Sequence, residues 1–555
     1  MCRLCHQGML RNHFSSRRNF LKGAAATGVA AAGGLNLFAP RRAAAQGAGG
    51  PPRGTGSPGR RYLIRGGAVM SMDPQVGDFA QADVLVEGKK ILQVGPNIHA
   101  SDAAIINARE HIVMPGFIDT HHHQFETALR SFLADGLLIN DGSNTASGNT
   151  TYFEYILLKF APVYRPQDVY INELFGGLSQ LDDGVTTVHD VSQIHYSKEH
   201  SDAAIKALMD TGRRAAFGYF EGAGVPIVLK PPASYEYPQD ARRINKQYFQ
   251  STDQLVTMIM GGEVYLGEPT YSEAWKIGRE LGIPVAAHIL SPFGIRPIFD
   301  KLAANPAGSP LAVGPDNLFI HMTGMSEAGW KAVHDNGAQV SIAFPIEMNM
   351  RHGMPPILTM QSMGMEPSLS VDVECTLTAD FFTQMRSCMN LQRTLVNQMA
   401  LDSPNGNQNL PNPLDWGLPS AAQTVPGPFP YWPKPPANVP APLTTRDVLR
   451  YATINGAKGL RLGNKVGSLT PGKEADIIIL DATRVNVAPV NQVPGAVVSL
   501  MDRTNVETVI VAGKVRKWNG ELLDVNLDKL RDQLEASRDY IFAKAGVPQN
   551  LFSSQ

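Results

Sequence analysis

Short apolar runs alternate with amphipathic runs throughout the middle of the chain, residues 113–465. The apolar runs predict strands, and they read VMPGFIDTHHH, GVTTVHDV, RAAFGYF, EVYLG, IPVAAHI, NLFIHM, AQVSIAF and PSLSVDV. Amphipathic runs such as YSEAWKIGRELG have helical spacing and end at a glycine that can stop a helix. Eight strand-then-helix units predict an α/β fold, a closed (β/α)8 TIM barrel.

Two segments of a different texture flank this barrel. Residues 62–112 and 466–525 contain short runs of alternating polarity, typical of strands joined by tight turns, with a predicted hairpin at Glu87-Gly88-Lys89. We interpret the two segments as one small β-sandwich built from both ends of the mature chain. Residues 526–555 are expected to form a C-terminal helix and tail.

The first 45 residues carry the pattern of an export signal. Residues 16–22 read SRRNFLK, a twin-arginine motif; a small-residue apolar stretch follows, and Ala43-Ala44-Ala45 offers a cleavage site. The apolar stretch is weakly hydrophobic for a spanning helix, which needs ~20 predominantly apolar residues. The pattern resembles signals read by the twin-arginine export machinery. It implies a bacterial protein that is exported in its folded state and is periplasmic or secreted, with no membrane anchor in the mature form. The composition of residues 46–61 predicts a flexible linker.

Charge and cysteine content exclude several classes of protein. The formal net charge of −1 gives no reason to expect a nucleic-acid partner. Outside the predicted signal only Cys375 and Cys388 remain, so the chain is not a disulfide scaffold, although a disulfide between these two is compatible with the sequence. A homo-oligomer is equally compatible.

Titratable side chains stand at the carboxyl ends of several predicted strands. Side chains alternate along a strand, so His121 and His123 project from one face while His122 points away. Three further residues follow the apolar runs IPVAA, NLFI and SLSV, and these are His288, His321 and Asp372.

Each of these residues alone has an ordinary explanation. A lone histidine is more often a core residue than a functional one, and an aspartate after a strand often caps the next helix. Together, however, they share the strand-end position at which barrels collect catalytic groups. The pattern therefore predicts a metal site.

These motifs resemble those of the amidohydrolase superfamily of metal-dependent hydrolases, over nearly all of the mature chain. PGFIDTHHH is similar to the family's opening Pro-Gly-x-x-Asp-x-His-x-His, DGVTTVHD to its second-strand signature, and GKEADIIILD to its return to the sandwich. The branch of the cytosine deaminase and triazine hydrolase enzymes is the most similar. The resemblance implies that one metal is bound by His121, His123, His288 and Asp372, and that His321 orients the attacking water or the leaving group.

This ligand set has a consistent chemistry. Neutral imidazoles and one carboxylate suit one divalent metal, zinc in preference to iron, and leave a position for water. Water on such an ion has a pKa of roughly 7, and Asp372 is expected to accept its proton and pass it to the leaving group. Binuclear relatives use a carboxylated lysine on a middle strand. No lysine ends EVYLG or RAAFGYF, so we predict a single metal.

The chain departs from the family pattern three residues after His288. The deaminases carry a glutamate there, whereas this chain has Ser291, whose hydroxyl cannot deliver a proton as a carboxylic acid would. Glu347, in the run FPIEMNMRHGMPP, is the candidate replacement and is assigned a catalytic role. Alternatively, Glu347 is a loop carboxylate at the surface, and the sequence favours neither interpretation. His352 lies in the same run.

Several other residues are assigned with less specificity. His189, Asp190 and His195 follow the second strand and are either substrate contacts or structural, while His122 and Arg130 are assigned to packing and to an internal ion pair. The proline-rich segment 402–444 is either a surface loop or a cap over the pocket. In the second case four aromatic residues would wall the substrate, namely Trp416, Phe429, Tyr431 and Trp432.

The sequence therefore predicts hydrolysis of a carbon–nitrogen bond in a small molecule. The absent glutamate favours a non-peptide amide, a cyclic amide or a urea-type substrate. The alternative is an aminohydrolase that deaminates an N-heterocycle. A non-catalytic binding barrel is a remote alternative, because it would be marked by lost ligands and none of the five positions is lost.

Overall fold

The computed structural model describes residues 49–140, 142, 150–402 and 439–552. The predicted signal 1–45 lies outside the described residues, and so does most of the proline-rich segment, including all four aromatic residues named for its cap. Within the described ranges, no helix combines the length and the apolar character that crossing a membrane requires.

The strands alternate with helices in the middle of the chain, whereas those on either side of it follow one another with only short helical turns between them. In chain order the strands are β1 Arg61–Met70, β2 Asp78–Glu87, β3 Lys90–Gly95, β4 Ala104–Asn107, β5 His111–Pro115, β6 Phe117–His122, β7 Val185–Ser192, β8 Arg214–Tyr219, β9 Val256–Gly261, β10 Val285–Leu290, β11 Asn317–Thr323, β12 Gln339–Ile342, β13 Ser368–Leu369, β14 Ile477–Asp481, β15 Val506–Val511, β16 Lys514–Trp518 and β17 Glu521–Leu522. The longer helices are Pro166–Asp182, Lys198–Thr211, Ala241–Tyr248, Thr270–Glu280, Arg296–Ala303, Glu327–Asp335, Phe381–Asp402 and Leu527–Ala545.

Strands β6 to β13 form the predicted barrel. They lie side by side in chain order in one eight-stranded sheet, and each neighbouring pair is parallel. A parallel bridge between His122 and Asp372 joins the first strand to the segment after the last one. The sequence prediction of a (β/α)8 barrel is confirmed.

One predicted barrel strand was wrong. The fourth strand is β9, Val256–Gly261, and not the run EVYLG, in which Val264–Leu266 form a turn of 3-10 helix. The run VTMIMG is the better buried strand because five of its six residues are buried. Consequently the fourth strand is followed by Gly262 and then by Glu263, which is the first residue beyond the strand with a side chain that can reach the barrel mouth.

The two flanking segments form one separate sheet, as predicted. It is a nine-stranded mixed sheet in the order β17-β16-β15-β14-β5-β1-β2-β3, with β4 beside β1. The two flanking segments meet where β14 pairs with β5 in antiparallel register, with Ile478 opposite Met114. Glu87–Lys90 is the predicted hairpin.

The described part of the predicted linker is held against this sheet instead of being free. The backbone N–H of Val515 donates to Thr55 Oγ1 at 3.1 Å, and Trp518 Nε1 donates to the carbonyl of Gly49 at 3.3 Å. These hydrogen bonds give residues 49–60 fixed partners on β16. Composition alone could not show them.

A single glycine joins the sheet to the barrel. Gly116 separates β5 from β6, and a Cβ at this position would lie 2.2 Å from Thr186 Cγ2 on β7. No larger residue fits this approach without movement of the second strand. The short connection fixes β6, and with it the three histidines at its end, relative to the rigid sheet.

The barrel wall gives a stability prediction at Trp275, which is fully buried and donates from Nε1 to the carbonyl of Gly262 at 2.9 Å. We expect Trp275→Ala to lower the free energy of unfolding by about 3–5 kcal/mol, because it opens a cavity and leaves a carbonyl without its donor. The midpoint of urea unfolding, followed by circular dichroism, measures the effect. Lys276→Ala, at an exposed neighbouring position, is the control, and equal shifts for both variants would refute the prediction.

Candidate metal centre

The carboxyl ends of four strands bring the predicted site residues together. His121 and His123 come from the end of β6, and the others are His288 in β10, His321 in β11 and Asp372 just after β13. Candidate ligand atoms of His121, His123 and His288 lie within 4.8 Å of one another, as do those of His121, His321 and Asp372. Asp372 Oδ1 lies 3.0 Å from His121 Nε2 and 3.6 Å from His123 Nε2.

Three of these imidazoles are oriented by a hydrogen bond from the ring nitrogen that faces away from the cluster. Nδ1 donates to the carbonyl of Val191 in His123 (2.9 Å), to Glu263 Oε1 in His288 (2.6 Å) and to Glu347 Oε1 in His321 (2.9 Å). Such bonds fix the tautomer and leave Nε2 as the free lone pair, the arrangement found around metal-binding histidines.

The pKa values of the histidines in the cluster are shifted in different directions. Burial, reinforced by the neighbouring imidazoles, lowers the pKa of His288 to about 3 and holds the pKa values of His121 and His123 well below the ordinary value. Neutral imidazole is the form that binds metal. Burial acts to lower the pKa of His321 too, but its hydrogen bond to Glu347 and the charge of Asp372 outweigh burial, and the net pKa is raised.

Atoms without a partner also point to an ion. Asp372 Oδ2 and His121 Nδ1 are buried and accept or donate no hydrogen bond among the described residues. His321 and Asp372 adopt left-handed backbone conformations, with φ of 70° and 69°, which cost energy for residues other than glycine and recur at functional sites. Three imidazoles and a carboxylate of this kind fit one divalent cation, zinc before iron.

A cavity of about 230 Å³ opens onto the cluster. Its walls include His123, His288, His321 and Asp372. The remaining wall is mostly apolar: it includes the aromatic residues Tyr152, Phe153, Tyr265 and Phe293, together with leucine and isoleucine side chains. A pocket of this size holds a small molecule and presents it to the cluster.

The structure separates the candidates proposed for the missing acid. Ser291 is exposed and does not line the cavity. Glu347 is buried, which excludes the surface alternative, but it lies behind His321 and accepts from its Nδ1 without lining the cavity. His352 does line the cavity, with its ring stacked on His321 at a centroid distance of 4.9 Å. Glu347 is thus placed to position His321.

The other residues named from the sequence lie outside the cavity. His122 turns away from the cluster, as the strand alternation predicts, and its Nε2 lies 3.5 Å from Glu374 Oε1. The other oxygen of Glu374, Oε2, pairs with Arg130. Three further candidates do not line the cavity, namely His189 and Asp190, which lie within β7, and His195, which follows it. The disulfide compatible with the sequence is not formed, because both cysteines are free, buried thiols.

Sequence reasoning missed two glutamates in the barrel mouth. Glu263 escaped because the fourth strand was placed in the wrong run. Glu221 stands two residues after β8, whose run RAAFGYF was correctly predicted, so the strand-end rule used for the histidines could have found it. Burial and the nearby charge of Glu263 raise the pKa of Glu221 to about 7.

The contact between Glu347 and His321 gives a prediction for catalysis. We expect Glu347→Gln to lower kcat by about 10–100-fold, because partners of this kind orient an active-site imidazole. KM should change little, since Glu347 does not line the cavity. Steady-state kinetics measures both constants, with exposed Glu327→Gln as the control. An unchanged kcat would remove the positioning role.

Comparison with known proteins agrees with this architecture. The profile of the amidohydrolase family matches residues 112–411 and 434–516. The 5'-deoxyadenosine deaminase of Methanosarcina acetivorans is 23% identical over 87% of this chain and 99% of that protein. The 5-methylthioadenosine/S-adenosylhomocysteine deaminase of Symbiobacterium thermophilum is 24% identical over 82% of this chain and 93% of its own.

Solved structures share the fold. A zinc-bound adenosine deaminase from Xanthomonas campestris superposes with a TM-score of 0.67 at 19% identity, over 88% of this chain and 99% of the other. Atrazine chlorohydrolase from Arthrobacter aurescens, complexed with zinc, gives a TM-score of 0.64 at 20% identity, over 86% and 100%.

Fold, strand-end cluster and family profile agree on the class, a metal-dependent hydrolase with a barrel and an accompanying β-sheet domain. The chain belongs to the amidohydrolase family. It is a hydrolase that acts on carbon–nitrogen bonds.

Proposed function

We propose that this protein uses one zinc ion, held by His121, His123, His288 and Asp372, to hydrolyse a carbon–nitrogen bond of a small molecule. The single observation that carries this proposal is the buried cluster of histidines and a carboxylate at the floor of a mostly apolar cavity. Among the described residues no lysine lines the cavity, which supports one metal over two.

The metal, Asp372 and His321 have separate roles in the proposed reaction. A divalent ion supplies Lewis acidity at such a site, lowering the pKa of water to roughly 7 and polarising the substrate. Asp372 has a free carboxylate oxygen, Oδ2, which accepts the proton of the attacking water. His321 Nε2 lies 3.6 Å from that oxygen and directs the proton to the departing nitrogen.

The substrate proposed first is an amide, cyclic amide or urea-type compound. No glutamate stands three residues after His288, and Ser291 at that position is exposed, so an acid is missing where a ring nitrogen would be protonated. Deamination of an N-heterocycle is the second candidate. It is favoured by the deaminase activities named for the relatives and by aromatic walls that can stack on a flat ring.

Activity profiling of the zinc-loaded protein distinguishes these candidates. Amides, ureas and lactams should be turned over with opening of the carbon–nitrogen bond, and amino-heterocycles should release ammonia if the second candidate holds. Ammonia and amines are measured directly, with the zinc-loaded Asp372→Ala variant as the blank. Lack of turnover throughout the panel would count against both.

We also propose that the protein is exported by the twin-arginine pathway to the periplasm or beyond. The motif SRRNFLK at residues 16–22 and the alanines at 43–45 support this. Replacing Arg17 and Arg18 together by lysine should leave the protein in the cytoplasmic fraction. Unchanged fractionation would refute the proposal.

A further inference from the structure

Glu221 is a buried carboxylate in the cavity wall that has no role in the proposed hydrolysis. Glu221 is 1% exposed and lines the same cavity as the metal cluster, from the mouth of the barrel after β8. It belongs to neither group of candidate metal ligands.

The two oxygens of Glu221 have very different surroundings. Oε1 accepts from the Tyr265 hydroxyl at 2.5 Å and from Gln193 Nε2 at 3.0 Å. Gln193 Nε2 also donates to the Tyr265 oxygen at 2.8 Å, so the three side chains hold one another in place. Oε2 is buried and has no hydrogen-bond partner among the described residues. The carboxylate is therefore rigid, with one oxygen saturated and the other free.

The negative charge of the Glu221 carboxylate has no cationic partner among the described residues. No lysine or arginine lines the cavity, and among the described residues none forms an ion pair with Glu221 within 4.0 Å. A buried carboxylate without a partner is costly, whereas a cation or N–H donor that reaches it recovers the cost.

The neighbouring walls suit a cation. Phe293 lies between Phe153 and Tyr265, at ring-centroid distances of 6.0 Å and 6.1 Å, and Tyr265 itself holds Glu221. Aromatic faces attract cationic nitrogen, and they do so more strongly where water is excluded. A fixed carboxylate beside a group of aromatic rings is thus complementary to a positive, flat group.

We propose that Glu221 is a specificity-determining residue, whose free oxygen Oε2 binds a cationic nitrogen of the substrate, of the amidinium or ammonium class. The proposal deepens the proposed function, on which it rests for the identity of the occupant as substrate. Gln193 and Tyr265 hold the carboxylate in position, and the aromatic wall covers the cation. The enzyme then selects small, positively charged nitrogen compounds over neutral ones of the same shape.

The test compares benzamidine, which is cationic, with benzamide, its neutral counterpart of nearly equal shape. Calorimetric titration of the zinc-loaded protein should give a Kd at least about tenfold lower for benzamidine, the scale expected for one buried charge pair. Glu221→Gln, which keeps the shape and removes the charge, should abolish this preference. Glu221→Asp keeps the charge and should retain part of it, and exposed Glu327→Gln should retain all of it.

Equal affinities in the unaltered protein would overturn the inference. So would a preference that survives in Glu221→Gln, or failure of benzamidine to bind. Because affinity is measured by calorimetry and turnover by release of ammonia or amine, the two proposals fail separately. Glu221-dependent binding without any carbon–nitrogen hydrolysis would refute the proposed function alone, and hydrolysis without the charge preference would refute this inference alone.

Discussion

Asp372→Asn is expected to lower kcat by about 10²–10⁴-fold, the range for loss of a positioned general base. The amide keeps an oxygen toward His121, at the position where Asp372 Oδ1 now lies 3.0 Å from Nε2, but it cannot accept a proton from water. Steady-state kinetics on a substrate found by profiling, with zinc content measured on the same sample, gives the result.

The matched control is Asp528→Asn, a change at an exposed aspartate that should leave kcat unaltered. Near-normal turnover by zinc-replete Asp372→Asn would remove Asp372 as the base. Loss of both zinc and turnover would show that the carboxylate is required as a ligand, and the activity of Asp372→Asn would then be measured at saturating zinc to test its role as the base.

His321→Ala is expected to lower kcat by at least about 100-fold, because it removes the group that directs the proton to the departing nitrogen. His321 can receive the proton from Asp372 without moving, since its Nε2 lies 3.6 Å from Asp372 Oδ2. Zinc content should fall little, because the proposed ligand set does not include this residue.

His334→Ala, at an exposed histidine, is the control for this variant. A loss of bound zinc comparable to that in His288→Ala would show instead that His321 is a ligand. An unchanged kcat with zinc in place would mean that another cavity residue directs the proton to the departing nitrogen, and His352 is the nearest candidate.

The barrel could be predicted because its strands are short apolar runs at regular spacing, and seven of the eight runs chosen from the sequence correspond to strands of the eight-stranded sheet. Strand alternation sufficed to separate His122 from its two neighbours, since it depends only on backbone geometry. The fourth strand failed because VTMIMG and EVYLG are adjacent apolar runs, and only burial distinguishes them.

The remainder of the site depends on contacts between residues far apart in sequence. Glu347 could not be separated from a surface carboxylate until its bond to His321, 26 residues away, was seen. The free oxygen of Glu221 depends on Gln193 and Tyr265, which come from different strand ends. Propensity and periodicity carry no information on such pairs, because they describe one segment at a time.

The central claim is a single zinc ion bound by the cluster, and metal analysis of the purified protein tests it most directly. Inductively coupled plasma mass spectrometry should find about one zinc per chain in the unaltered protein, consistent with one set of three imidazoles and a carboxylate. His123→Ala and His288→Ala should each lose most of this zinc while the far-ultraviolet circular dichroism spectrum stays the same. Finding no metal, two metals per chain, or undiminished zinc in both variants would contradict the claim.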